Sequence, residues 1–381
     1  LGLSQFAPQL GGTTSGTVSL AGRTDALTLA NLRGRGDLNF SAGLAGLSPQ
    51  LAGFDTPLSS RFAWTGQELL IEQVSSAQLQ ARGVISPQLS GNQFQGIRGF
   101  SLDLDADRYP LALLPSPVPL DGFASFDGRV VGTLSTPQLN GTLLLEEFGV
   151  NQVAFDPVLL GPVSYQPQTG LMVDLDGQAG PMVDGRTDGI AINFQTPRSF
   201  DFDVSWQGAQ AVGCTEGDLL QATLQDLPLQ ALGLPTVDRL GGGLQGTLSS
   251  QGEWVVDLNR QTLVGGVLIE RPGLGYLNAQ RLTGQVAYRD RRFFVEQGEL
   301  IFDACSQQLA SDTQPLPGYC IAGDAAPSVY RFNGDVQLDT LAYNANVVVE
   351  NGDVREVLAA LAITDLEDLI QTFQAPVWLE N

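Results

Sequence analysis

FDFDVSW, residues 200–206, places apolar side chains on one side of an extended chain and polar side chains on the other. Phe200, Phe202, Val204 and Trp206 alternate with two aspartates and a serine. Strict alternation is typical of a β-strand with one apolar and one solvent-facing side. The pattern recurs in TDALTL (24–29), DLNF (37–40), SLDLDAD (101–107), LMVDLDG (171–177) and DGIAINF (188–194). The sequence therefore predicts an all-β protein, and its function depends on what the apolar side faces.

Composition and charge exclude several classes of partner. The 381 residues carry 41 acidic and 19 basic side chains, for a net charge of −22, which repels nucleic acid and anionic membrane surfaces. No apolar run is long enough for a transmembrane helix, and no signal peptide is recognisable. Because a strand-like pattern is under way by Thr17, we expect a fragment of a longer protein whose membrane anchor or signal lies outside it.

Related segments recur along the chain at a spacing of 110 to 120 residues. They are LGGTTSGTVSL (10–20), LDGFASFDGRVVGTL (120–134) and LGGGLQGTL (240–248). Leu/Pro-rich stretches, YPLALLPSPVP (109–119) and LPLQALGLPTV (227–237), precede the second and third. The interpretation is a single elongated segment, 1–381, built of repeats at approximately 10–119, 120–239 and 240–350. A β-helix ranks second, because its shorter repeat and its Asn or Gly ladders are not found.

The apolar faces admit two architectures. A closed sandwich would fill the space between them with side chains, whereas an elongated, curled sheet would form a trough (a β-taco) with an open apolar groove. Both architectures shield the same residues of the alternating pattern from solvent, so the pattern does not distinguish them. The candidate groove-lining residues are Leu27, Leu29, Leu38, Phe40, Phe62, Trp64, Leu102, Leu104, Leu171, Val173, Leu175, Ile190, Ile192, Phe194, Phe200, Phe202, Val204, Trp206, Val267, Ile269, Val286 and Tyr288.

Two short amphipathic α-helices are predicted near the C-terminus, within 353–373. Asp353 with Glu356, and Thr364 with Glu367, have the spacing of capping boxes. We expect the apolar stripes to dock on or in the groove as a plug or cap. The residues of this plug are Val357, Leu358, Leu361, Leu366, Leu369, Ile370 and Phe373.

The chain has three cysteines. Cys305 and Cys320 bracket a polar, Pro-rich insertion, and in an oxidising compartment we expect a disulfide between them, with Cys214 as the odd thiol. A loop of about 15 residues closed in this way stabilises the fold by roughly 3 kcal/mol in the chain-entropy model.

Residues for catalysis are scarce. The sequence has no His and no Lys, which removes Ser-His-Asp, Cys-His and Schiff-base chemistry and the commonest zinc ligand. Asp103, Asp105 and Asp107 have the spacing of a calcium loop, but Arg108 stands where its glycine belongs. We expect no metal, no cofactor and no enzyme, although a carboxylate pair acting on glycans stays open.

Four stretches resemble the TamB family in its cyanobacterial and chloroplast branch: WQGAQA (206–211), LGLPTVDRLGGGLQGTL (232–248), ERPGLGYLNAQRLTGQVAYRDRRFFVEQGEL (270–300) and YNANVVVENGDVREVLAALAITDLEDL (343–369). They cover much of the second half, while residues 1–200 match only in style. The resemblance implies an inner-membrane anchor outside this fragment, a periplasmic location and a β-taco groove that carries phospholipid towards the outer membrane. It also implies cooperation with an Omp85-class outer-membrane protein.

Two functions follow as alternatives. A segment of a lipid-transfer bridge requires an apolar groove, whereas a scaffold for outer-membrane assembly requires an exposed sheet edge that binds its partner by strand addition. The two roles are compatible in one protein.

Overall fold

The computed structural model describes residues 14–23, 28–41, 56–90, 93–114, 116, 119–150, 153–178, 187–196, 198–229, 244–274, 277–302, 327–337, 340 and 342–352. These residues are all-β and contain no helix of seven or more residues, so the predicted all-β class and curled, unclosed sheet are confirmed. The chain divides into two compact units, Leu1–Gly208 and Ala209–Asn381.

The first unit is a curled antiparallel meander in which each long strand pairs with the next long strand. Its strands are β1 (Thr14–Ala21), β2 (Arg33–Phe40), β3 (Leu58–Trp64), β4 (Leu69–Ser75), β5 (Leu79–Ser90), β6 (Gln93–Pro110), β7 (Leu120–Gly132), β8 (Pro137–Val150), β9 (Val153–Ala154), β10 (Val158–Gln166), β11 (Gly170–Gly177), β12 (Gly189–Thr196) and β13 (Ser199–Trp206). The short β9 extends from β8, and β10 takes the next place beside β8. Within the described ranges β1 and β13 do not pair, so the sheet is unclosed.

The second unit follows the same plan. Its strands are β14 (Ala209–Glu216), β15 (Leu219–Gln225), β16 (Leu227–Pro228), β17 (Leu244–Asp257), β18 (Thr262–Leu274), β19 (Leu277–Asn278), β20 (Arg281–Arg289), β21 (Arg292–Phe302), β22 (Ser328–Gln337) and β23 (Tyr343–Glu350). The main pairings run β14–β15–β17–β18–β20–β21–β22–β23. The two-residue strands β16 and β19 pair with the ends of β17 and β18.

Tight turns connect neighbouring strands. Arg289 pairs with Arg292, and the two residues between them, Asp290 and Arg291, have φ of 53° and 60°. Positive φ at both central residues defines a type I′ turn, whose twist matches that of the strands it joins. Such turns account for the regular spacing of strands in the sequence.

A repeated β-bulge relates the two units. Gly122 has φ 94° opposite Glu147 at φ 52°, and Gly246 has φ 111° opposite Arg271 at φ 49°. A Cβ at Gly122 would lie 2.5 Å from the Glu147 carbonyl oxygen, and one at Gly246 would lie 2.7 Å from the Glu270 carbonyl oxygen, so both bulges require glycine. The equivalent segments are therefore LDGFASFDG (120–128) and LQGTLSSQG (244–252), a displacement of four residues from the alignment on 240.

Among the described residues, a cluster of buried side chains lies on one face of the sheet in each unit. In the first unit the cluster comprises Leu111, Leu145, Leu159 and Leu175. In the second unit it comprises Leu229, Leu248, Val267 and Val286. Both clusters lie where a segment before the bulge crosses the apolar face of the strands that follow.

Candidate functional site

The strand register places the apolar residues of β11, β12 and β13 on one face. Directly paired residues of antiparallel strands project to the same side of a sheet. The rows across these strands are Leu171–Phe194–Phe200, Val173–Ile192–Phe202 and Leu175–Ile190–Val204. Asp201 and Asp203 pair with Asn193 and Ala191 on the opposite face. FDFDVSW thus contributes apolar side chains to one face of the sheet and acidic side chains to the opposite face.

The same face continues through the rest of the first unit. Successive pairs carry it from β13 back to β2, with Leu102 opposite Val130 and Leu38 opposite Ser60. The candidate residues that the register places on this apolar face are Leu38, Phe40, Phe62, Trp64, Leu102, Leu104, Leu171, Val173, Leu175, Ile190, Ile192, Phe194, Phe200, Phe202, Val204 and Trp206. Leu29 precedes β2, where its carbonyl accepts a hydrogen bond of 2.8 Å from Trp64 Nε1. Leu27 lies outside the described residues.

Burial varies along this face. Leu159 and Leu175 are 0% and 2% exposed, whereas Phe194 is 39% exposed and Leu20, on β1, is 65% exposed. Most other candidates, including Phe202, are half-buried. A filled sandwich core would bury such residues throughout, whereas here the described part of the face is buried at the Leu159 and Leu175 cluster and at Leu58, which is 8% exposed, and is partly open to solvent elsewhere.

In the second unit, Val267 and Val286 are each 5% exposed, and Ile269 packs against their cluster. Tyr288 lies on the same face, paired with Leu263 and Phe293. These four candidates therefore occupy one surface.

The opposite face is polar and charged. Asp103 on β6 forms ion pairs with Arg82 at 3.7 Å and with Arg129 at 3.1 Å, and Asp105 lies directly across from Asp127. The side chains surround a shallow depression of about 1060 Å³. The charged surface keeps this side hydrated, while the apolar face of the same strands does not require water.

The end of the apolar face near β13 is held by groups that the sequence did not single out. Trp206 Nε1 donates a hydrogen bond of 2.6 Å to the carbonyl of Ala154 on β9, three places away in strand order, which reflects the curl of the sheet. Asp188 accepts from the backbone N–H of Asp156 at 2.8 Å and of Gln207 at 2.6 Å.

Asp156 is 6% exposed, and the buried Oδ2 atom of its carboxylate has no hydrogen-bond partner. Desolvation, followed by repulsion from Asp188, raises the pKa of Asp156 above its usual range. The clasp formed by Ala154, Asp156, Asp188 and Trp206 therefore contains a carboxyl whose pKa is raised by its surroundings. Nothing in the alternation of DGIAINF distinguishes Asp188 from the exposed aspartates, and Asp156 lies outside the alternating segments.

Sequence reasoning also omitted Leu111 and Leu229 from the groove. Both follow a proline in the Leu/Pro-rich stretches, and both are buried, at 6% and 4% exposure. A leucine directly after the first proline of each of two Leu/Pro-rich stretches, 118 residues apart, was the available signal.

Two predicted features cannot be compared with the structure. The plug at 353–373 and the pair Cys305 and Cys320 lie outside the described residues. Cys214, on β14, is a free and exposed thiol.

The strands thus define a class of protein: an all-β antiparallel meander with one apolar and one charged face. No protein-family model matches the chain, and no curated protein matches it significantly. Among the described residues, no helix has the length and apolar character needed to cross a membrane.

Proposed function

We propose that this chain is a segment of an envelope-spanning lipid-transfer bridge that holds phospholipid acyl chains against its apolar face, between the inner and outer membranes. One observation carries the proposal: from β2 to β13 the apolar side chains stay on one face, and most of them are only half-buried. A long apolar surface that the fold leaves partly uncovered is suited to an apolar ligand.

The energetics favour an acyl chain over a ligand with specific polar contacts. Each methylene moved from water onto an apolar wall is worth about 0.8 kcal/mol, so a 16-carbon chain gains up to roughly 12 kcal/mol before ordering costs. The head group stays in water, which needs no dedicated phosphate site. The protein acts without catalysis, metal or cofactor, in the periplasm, and an anchor outside this segment ties it to the inner membrane.

Native mass spectrometry of the purified fragment tests this function. We expect phospholipid adducts that persist at low activation energy and disappear when the lipid is extracted before analysis. Fragment purified from lipid-extracted cells and then incubated with phosphatidylethanolamine vesicles serves as the reloading control. A fragment that stays lipid-free after reloading overturns the proposal.

A second function is favoured by the last described strand. All eight residues of β23 are exposed, with Tyr343 at 81%, Val347 at 55% and Val348 at 61%, and in the described part of the chain β23 pairs only with β22. An exposed apolar edge strand is a template for strand addition. We propose this edge as the surface through which the chain contacts an Omp85-class outer-membrane protein.

A matched pair of substitutions tests this surface. Val348→Lys places charge on the edge strand, and Val264→Lys places it at a valine that is 56% exposed on the central strand β18. Only the edge variant should weaken co-purification with the outer-membrane protein. Equal binding by both variants would exclude β23 as the contact.

A further inference from the structure

The two Leu/Pro-rich stretches form equivalent structures, which we name straps: residues 109–114 in the first unit and 227–229 in the second. Each begins one residue after a non-glycine residue at positive φ, Arg108 at 46° and Asp226 at 52°. The backbone N–H of each of these residues donates a hydrogen bond of 2.9 Å to a serine hydroxyl, Ser125 in one case and Ser249 in the other. The local geometry therefore repeats in detail.

After that bend, each strap stays paired with the following strand for two residues, Tyr109–Pro110 with β7 and Leu227–Pro228 with β17, and the leucine that comes next packs on the apolar face. Pro110 leads into the 3-10 turn Leu111–Leu113, and the buried Leu111 packs with Leu145, Leu159 and Leu175. In the second strap Leu229 follows Pro228 and packs with Leu248, Val267 and Val286. Each strap thus contributes a single buried leucine to a cluster whose other members belong to the sheet.

The packing of leucines secures the first strap. Leu114 joins Leu111 against the cluster, and the hydrogen bond from Leu114 N–H to the Leu111 carbonyl stays within the turn. Leu113, between them, is 55% exposed. The short turn has no side-chain cap at its start, so its conformation is stabilised mainly by what it covers.

We propose that the straps are displaceable lids on the lipid-binding face, with Leu111 and Leu229 occupying the positions that acyl chains take when lipid is bound. This inference rests on the proposed function. The leucine side chain and an acyl chain present the same chemistry to the sheet, so each replaces the other at similar cost. The cluster that covers the face in the absence of lipid is then the point at which the passage of lipid along the face is controlled.

Competition of this kind has a distinctive consequence. The observed dissociation constant equals the intrinsic one divided by the fraction of molecules with an open strap. Truncating the strap leucine raises that fraction and tightens lipid binding, even though it weakens the fold. Truncating a leucine of the wall weakens both.

A fluorescence titration with a phospholipid that carries a fluorescent acyl chain separates these cases. We expect Leu111→Ala and Leu229→Ala to lower the dissociation constant about tenfold. Leu145→Ala and Val267→Ala, on the walls of the same clusters, should raise it. If the wild type binds the lipid and both strap variants bind it equally well or more weakly, the lids are excluded but the proposed function is not. Absence of binding in the wild type, with native mass spectra free of lipid, overturns the proposed function as well.

Hydrogen exchange of the wild-type protein gives a test that needs no variant. Peptides covering 109–114 should exchange faster when the same phospholipid is added, because the bound chain displaces the strap, while peptides from β10 and β11 should exchange more slowly. Slower or unchanged exchange in 109–114 while the probe is bound would show that the strap is part of the fixed core and would overturn the inference.

Discussion

Replacing Phe202 with Asp places a charge in the centre of the apolar face. Phe202 is half-buried, pairs across the strands with Ile192 and stacks on Phe200 with ring centroids 6.4 Å apart. Losing this partial burial and ring contact costs about 1–2 kcal/mol in the free energy of unfolding. In a filled core, an unpaired carboxylate at the same position would cost several kcal/mol more.

The effect on lipid is larger than the effect on folding. A phenyl ring covers about three methylenes of an acyl chain, so its loss removes roughly 2.4 kcal/mol of binding free energy. This corresponds to about a fiftyfold higher dissociation constant for the lipid. Urea unfolding followed by circular dichroism measures the first quantity, and titration with the fluorescent phospholipid measures the second. Asp174→Asn, on the opposite face of β11, is the matched control and should change neither.

If the Phe202→Asp variant unfolds and the parent protein carries no lipid, the apolar face packs against other parts of the protein. That result would refute the proposal that the face holds lipid. Trp206→Arg is a less specific test, since it also breaks the hydrogen bond to Ala154. We expect it to lower both stability and lipid binding.

Three further predictions concern the fold. Because burial and a neighbouring carboxylate raise the pKa of Asp156 above its ordinary value near 3.8, the stability it confers is fully present below that value and is lost as pH rises through the raised pKa; Asp156→Asn should flatten this dependence in urea titrations from pH 3 to 8. Ser125→Ala and Ser249→Ala should each cost about 1 kcal/mol in denaturant unfolding, and a loss in only one would contradict the equivalence of the straps. Mass mapping of a non-reduced digest should find Cys305 joined to Cys320, and free thiols at both would refute the disulfide.

The sequence predicted the strands because their determinants are local. Alternation in SLDLDAD and FDFDVSW depends only on the two-residue period of a strand, and positions two apart share a face whatever lies across from them. Together with short turns, this was sufficient for the all-β class and for the membership of the apolar face. The spacing of 110 to 120 residues between related segments stays a prediction, and within LGGGLQGTL, which contains two successive L-x-G matches, the bulge geometry at Gly246 selects the second.

The degree of burial was not predictable in this way. Leu175 and Phe194 have equivalent alternating contexts, yet one is 2% and the other 39% exposed, because only the first lies under a strap. The burial of Leu111 and Leu229 and the buried pair Asp156 and Asp188 depend on contacts between distant segments, which periodicity alone does not encode.

Photo-crosslinking at position 202 tests directly whether phospholipid lies against the apolar face. A photoreactive phenylalanine analogue at Phe202 is directed to the apolar face, and the same analogue at Asp203 is directed to the charged face. In cells irradiated before purification, we predict a phospholipid adduct on the peptide carrying residue 202 and none on the peptide carrying residue 203. Crosslinks from residue 202 to this protein's own chain alone, with no lipid adduct, would contradict this prediction.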